Sequence, residues 1–267
     1  PPGSPRGLGP VMAVRTERPI PAGAAISTFL RSFAIQGSWN YRTMIGQGFA
    51  FALLPVLQHV HREDPTALAR SVERHAHHFN AHPYMAELAL GAVARMEAEG
   101  TSPEAIQRFK EAVRGPLGSL GDRLIWAGAL PTAVLVGLVV LALGAPAWAP
   151  PLVFLLVYNA VHLTLRVWAF RTGLRQGAGV VGHLSAARLP HFADRLTSAG
   201  LFFVGVFTGM VAVRAVSGGE AESALVATVV GAGALVLGEK LGNGAWRIAA
   251  LTVVALVSGI FGIGVIS

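Results

Sequence analysis

The chain has 267 residues, of which 53% are hydrophobic and only 13% charged, with a formal net charge of +7. An ordinary soluble domain carries about 25% charged residues, so a chain this apolar is not intrinsically disordered and is expected either to sit in a membrane or to own an unusually greasy half. With no cysteine, disulfide scaffolds, zinc–thiolate sites and thiol catalysis are excluded, and the positive charge comes with no nucleic-acid recognition module.

Residues 1–27 open on PPGSPRGLGP, rich in proline and glycine and without a helical period, and are expected to form a disordered lead. Met12 is a candidate start, and no apolar core follows the early arginines as a signal peptide requires. Residues 26–60 are apolar but interrupted by Arg31, Gln36, Asn40, Arg42 and Gln47. That is too polar for a plain lipid-facing span and fits an interfacial segment or broken helices inside a bundle.

Asp64-Pro65 predicts a helix start, with Asp as cap and Pro at the first helical position, and the helix is expected to run through the histidine-rich stretch to a break at Pro83. A second helix, YMAELALGAVARMEAEG, is predicted to stop at Gly100. A third starts at Ser102-Pro103 and is expected to end at Gly115-Pro116, opening GPLGSLGD (115–122) as a flexible glycine loop.

Beyond Asp122 the pattern turns to membrane. A bilayer core takes roughly 20 mainly apolar residues per helix. Residues 124–144, 150–170, 199–216, 223–238 and 248–266 are candidates, giving four to five crossings. Between them, 171–198 carries Arg171, Arg175, Arg188 and Arg195 against Asp194, and the positive-inside rule places it, with the charged first half, in the cytoplasm. The expected fold is therefore all-α and polytopic: a lead (1–27), an amphipathic and cytoplasmic helical region carrying the motifs (28–123), and a transmembrane helical region (124–267).

Three polar clusters stand out. Gln36, Ser38, Trp39 and Asn40 put two amides, a hydroxyl and an indole within five residues, the vocabulary of sugar binding; the same residues also suit a helix cap with an interfacial tryptophan. His75, His78 and His82 would share one face if the helix ran to Pro83, which is metal-ligand chemistry in form, but no adjacent carboxylate orients the rings, and neither metal nor cofactor is expected. Asp122 closes the glycine stretch as a hydrogen-bond acceptor or a turn residue. Within the spans, His162 and Arg166 lie one turn apart, and Arg166 is expected to snorkel. No catalytic triad or carboxylate pair can be assembled.

Taken in order, FLRSFAIQGSWNY (29–41), Gly48-Phe49, Pro55, RHAHHFNAHP (74–83) and GPLGSLGD (115–122) resemble the IID membrane subunit of the mannose/fructose/sorbose family of bacterial phosphotransferase systems, over residues 29–267. The resemblance implies a multi-pass subunit of the bacterial inner membrane with a cytoplasmic N-terminus. It would pair with a IIC membrane subunit, as a trimer of IIC–IID pairs, to conduct a hexose. The chain would be no enzyme, since the phosphoryl group would travel on cytoplasmic IIA and IIB subunits. It further implies that Gln36, Ser38, Trp39, Asn40 and Asp122 contact sugar, with His75 and Asn80 as further motif positions. Three departures go with it. Arg42 stands where the family commonly has Glu, Arg123 follows Gly121-Asp122 where it commonly has Pro, and His77-His78 replace more acidic or aromatic residues. They leave open the alternative of a degenerate regulatory or scaffold subunit without transport.

Overall fold

A computed structural model describes residues 18–182 and 189–217, with side chains up to residue 211. Every regular element there is a helix: α1 (Ala22–Ser32), α2 (Gly46–Val60), α3 (Pro65–Ala76), α4 (Ala86–Ala98), α5 (Pro103–Gly121), a π-helical segment (Asp122–Ala129), α6 (Leu130–Ala142), α7 (Ala149–Gln176) with a 3-10 turn after it (Gly177–Gly179), and α8 (Leu189–Ser217). The expected spans 223–238 and 248–266 lie outside the described residues.

The caps read from sequence hold. Asp64 accepts the Ala67 amide at 2.8 Å, and the Ser102 hydroxyl accepts that of Ala105 at 3.3 Å. Gly100 has φ +67°, and the bonds Gly100 N–H to Glu97 O (3.0 Å) and Thr101 N–H to Met96 O (2.9 Å) close α4 in a Schellman motif.

Four expectations are corrected. Helix α1 starts at Ala22, inside the segment expected to be disordered. Helix α3 stops at Ala76 rather than running to Pro83, because the chain leaves it to bury Phe79 against the 43–45 backbone. The glycine stretch 115–122 is no loop: α5, the π segment and α6 form one continuous helix, Pro103–Ala142. Pro116 lies inside it, and its missing N–H and the nearby glycines, unfavourable locally, are overridden by packing on either side. The histidine face over 75, 78 and 82 therefore does not form.

The chain divides into two compact units along lines that cut across the three sequence segments. The first holds the described residues through Asn80, Glu87–Arg114 and Phe170–Val180. Its core is α4, buried on nearly every side. Small residues make that possible: a Cβ on Gly91 would lie 2.3 Å from Phe170 O, and one on Gly173 2.3 Å from Leu88 O, so the α4 and α7 backbones touch directly. In the same unit Phe49, Leu53 and Leu57 of α2 and Ile106 and Val113 of α5 are buried as well. Helix α1 is inside-out. Its Thr28 and Ser32 are buried, with Ser32 Oγ 2.5 Å from Glu87 Oε1, while Ile26 and Leu30, and Phe33 just past its end, are exposed.

The second unit holds Ala81–Ala86, Gly115–Ala169 and the described residues from Val181 on. In it α6 packs along α8, with Ala142 and Met210 buried together and Val139, Val206 and Phe207 against them. Its outer face is apolar: Leu141, Leu143, Trp148, Leu152, Leu155, Leu156 and Leu163 are all exposed. Large apolar side chains exposed in such number suit a surface that lipid or a partner covers. Two helices among the described residues, Pro103–Ala142 and Ala149–Gly182, are long and apolar enough to cross a bilayer.

Candidate functional site

In the first unit the segment between α1 and α2 is a compact irregular loop. Its knot is Asn40. The Asn40 Oδ1 accepts the amides of Arg42 and Thr43, both at 3.0 Å, and its Nδ2 donates to Thr43 Oγ1 (2.8 Å) and Ser38 O (3.1 Å). An asparagine does this because its amide is at once donor and acceptor on a short stem. The turn is closed by Met44 N–H to Asn40 O at 2.8 Å, with Met44 at φ +52°, and is stapled to the end of the α3 strand-like exit by Ile45 N–H to Phe79 O (3.1 Å) and Phe79 N–H to Thr43 O (3.2 Å).

Helix α2 presses on this loop through its backbone. A Cβ on Gly48 would lie 1.8 Å from Ile35 O, and one on Gly46 2.0 Å from His77 O. The result is a rigid platform with polar and aromatic groups facing out. Gln36, Ser38 and Arg42 are exposed, Trp39 is 46% exposed, and its ring meets the Tyr41 ring edge-on at 4.8 Å. Gln36, Ser38, Trp39 and Asn40 thus come together, on the chain's own surface rather than sheltered within it. Asn80 is exposed just past the Phe79 bridge.

His75 points the other way. It is fully buried, with Nε2 2.8 Å from Glu97 Oε1. The same oxygen accepts from Arg74 Nη2 (2.6 Å) and Ser71 Oγ (3.2 Å), and Oε2 lies 3.4 Å from His61 Nε2. Ser71, Arg74 and His75 fall on one face of α3 at i, i+3 and i+4. Burial would raise the Glu97 carboxyl, but the hydrogen bond from His75 and the Arg74 guanidinium outweigh it and hold it down at about 2. Burial lowers His75 to about 4 against the pull of Glu97, with the Lys110 and Arg74 charges acting in the same sense as burial. His75 is therefore neutral near pH 7, its Nε2–H donating to a carboxylate.

Lys110 caps this cluster. Its Nζ donates to His75 O at 3.3 Å and sits 5.0 and 5.5 Å from the ring centres of Phe49 and Phe79. Phe79 in turn carries the bridge to the Asn40 loop, so the buried charges are the foundation under the exposed polar platform. Glu97 and Lys110 were not singled out from sequence; the available signal was an acid inside an otherwise Ala/Leu/Val helix, which has to be paired if buried.

Asp122 belongs to the second unit, exposed in the first turn of the π segment. Beside it, His82 is buried at 4% exposure, its ring 5.7 Å from that of Trp126. Arg123 is bound to Asp194 at 2.8 Å. Arg166 does not snorkel: it is 4% exposed, its guanidinium 5.3 Å from the Tyr84 ring centre, because an aromatic partner inside the unit is within its reach. Tyr84 also stacks on His162 at 4.8 Å and shares a 2.9 Å hydrogen bond with Tyr158. Among the described residues no group of three His, Asp or Glu is placed to hold a metal.

The model of the "PTS system mannose/fructose/sorbose family IID component" matches residues 20–225. The mannose-specific EIID component of Escherichia coli (strain K12) is 29% identical over 195 residues, 71% of this chain and 68% of that protein. The sorbose-specific EIID component of Klebsiella pneumoniae is 29% identical over 195 residues, 71% of this chain and 70% of that one. Among solved structures, a chain of the mannose transporter ManYZ in complex with microcin E492 aligns at TM-score 0.57 and 22% identity, covering 92% of this chain and 98% of that chain. A chain described as a membrane protein aligns at TM-score 0.64 with the same identity and coverage. At that identity the likeness concerns the fold.

Proposed function

The chain belongs to the IID components of the mannose/fructose/sorbose family of phosphotransferase systems, and we propose that it forms, with a IIC partner, the membrane unit that conducts a mannose-type hexose. In this reading the pair assembles as a trimer in the bacterial inner membrane, with the chain crossing four to five times, its N-terminus cytoplasmic, and IIA and IIB subunits phosphorylating the sugar. The observation that carries it is the outward-facing platform of Gln36, Ser38, Trp39 and Asn40: a loop braced by four Asn40 hydrogen bonds and two backbone contacts that nevertheless leaves its polar and indole groups uncovered. Such a surface is a binding face in waiting, with the IIC subunit as its cover. The inside-out helix α1 and the leucine-rich outer face of α6 and α7 supply the apolar area that a bilayer and a membrane partner would bury.

Gln36 and Ser38 hydrogen-bond sugar hydroxyls in this proposal, Trp39 walls a ring face, and Asn40 chiefly shapes the loop. Asp122 accepts a hydroxyl in the second unit. His75 acts from beneath as part of the Glu97 cluster, and Asn80 lines the rim. The test is mannose binding by the chain co-purified with its IIC partner. Gln36→Ala and Trp39→Ala are expected to weaken binding about tenfold with an unchanged melting temperature; unchanged affinity in both removes the platform from the site. The second reading, a subunit kept for regulation, is favoured by the exposed Arg42 beside the platform, and sugar uptake by the reconstituted complex would exclude it.

A further inference from the structure

We propose that His82, Asp122 and Trp126 form a second hexose-hydroxyl site in the α5–α6 unit, built on a donor, an acceptor and an aromatic wall. The inference rests on the hexose-conducting reading above and adds two residues to it.

The donor is His82. Its Nδ1 accepts the Tyr84 amide at 3.2 Å, so in the neutral ring the proton is on Nε2. Burial lowers its pKa to about 4, against the opposing pull of Asp122 and with the push of Arg166, which keeps the ring neutral at working pH. That Nε2–H is buried and has no hydrogen-bond partner among the described residues. A buried donor without a partner costs about as much as a lost hydrogen bond, and a fold that keeps one has a use for it.

The surroundings are built to hold the ring in place. Gly121 lies against it: a Cβ there would be 2.2 Å from the His82 Cβ and 2.4 Å from its Cγ. No larger residue leaves the imidazole where it is. Immediately after Gly121 the helix widens into the π segment, where Asp122 and Trp126 both face outward. Single π turns inside α-helices occur disproportionately at functional sites. Asp122 presents acceptors, Nε2–H a donor, and Trp126, 55% exposed and edge-on to the His82 ring, is the wall that a pyranose face would displace or stack on.

Mannose titration of the intact IIC–IID complex, followed by calorimetry with melting curves in parallel, decides it. Asp122→Asn and His82→Leu are expected to weaken binding about tenfold each, and His82→Gln, which keeps an amide donor, to recover part of the loss. Trp126→Ala, at an exposed position, keeps the test open if His82→Leu does not fold, and is expected to weaken binding by a similar factor. If the unaltered complex binds and Trp126→Ala and Asp122→Asn bind equally well, this site is refuted while the platform reading stands. No binding by the unaltered complex refutes both.

Discussion

Replacing Glu97 with glutamine removes one proton's worth of charge and almost no volume, yet it strikes the cluster that supports the Asn40 loop. The carboxylate receives Arg74 at 2.6 Å, His75 at 2.8 Å, Ser71 at 3.2 Å and His61 at 3.4 Å, and is itself 5% exposed. Breaking a buried pair costs roughly 3–5 kcal/mol, mostly because the surviving charge is left without its counter-ion. Arg74 is 21% exposed and finds some water, so the lower figure, about 3 kcal/mol, applies. For a chain of this size roughly 2–4 °C accompanies each kcal/mol, so the melting temperature of the detergent-solubilised chain is expected to fall by about 6–12 °C. Arg74→Gln in the same background removes the orphaned charge, and the double variant is expected to be about 1–2 kcal/mol more stable than the two single losses added together. A Glu97→Gln chain that melts within about 2 °C of its parent, or strict additivity in the double variant, refutes the view of Glu97 as the hub.

Three further outcomes follow from the same structure. His75 titrates near 4 in the folded chain and 6.5 unfolded, so between those values the unfolded state binds more protons; stability is lost as pH falls from 6.5 and the loss levels off near 4, amounting to about 3 kcal/mol, with Glu97 adding a further loss between about 4.5 and 2. Melting temperatures at pH 7, 5.5 and 4.5 measure it; His82, also lowered to about 4, adds a slope of the same sign, so His75→Gln is expected to make the slope shallower without abolishing it, and an undiminished slope would assign the effect elsewhere. Gly48→Ala puts a methyl 1.8 Å from the Ile35 carbonyl oxygen, so α2 has to lift off the loop; about 3 kcal/mol of stability is expected to go, read as lower yield and melting temperature, and a parent-like melt would show the contact to be compliant. Arg123→Ala breaks an ion pair whose members are 49% and 53% exposed; its melting temperature is expected to stay within about 2 °C of the parent, and a larger drop would mean the pair is less screened than its exposure implies.

The local signals in the sequence carried the helix ends that side chains cap. Asp64, Ser102 and Gly100 act within their own turn, so their chemistry is complete without the rest of the molecule. The all-helical, membrane-suited character was likewise written in the long uncharged runs, and the polar platform in the adjacency of Gln36, Ser38, Trp39 and Asn40. The end of α3 at Ala76 was not, because it is set by Phe79 finding a pocket beside Met44, far along the chain. Nor was the helical state of 115–122, where packing outweighs the preferences of Pro116 and three glycines, nor the fate of Arg166, which depended on Tyr84 lying within reach. Glu97 shows the division most plainly: one acid in an apolar helix states only that a partner is needed, and its partners come from α3 and the end of α2. Chain-local energies of about 1 kcal/mol decide caps and turns. Burial of a whole side chain or pairing of a buried charge is worth several times that, and its partners are chosen only when distant segments meet.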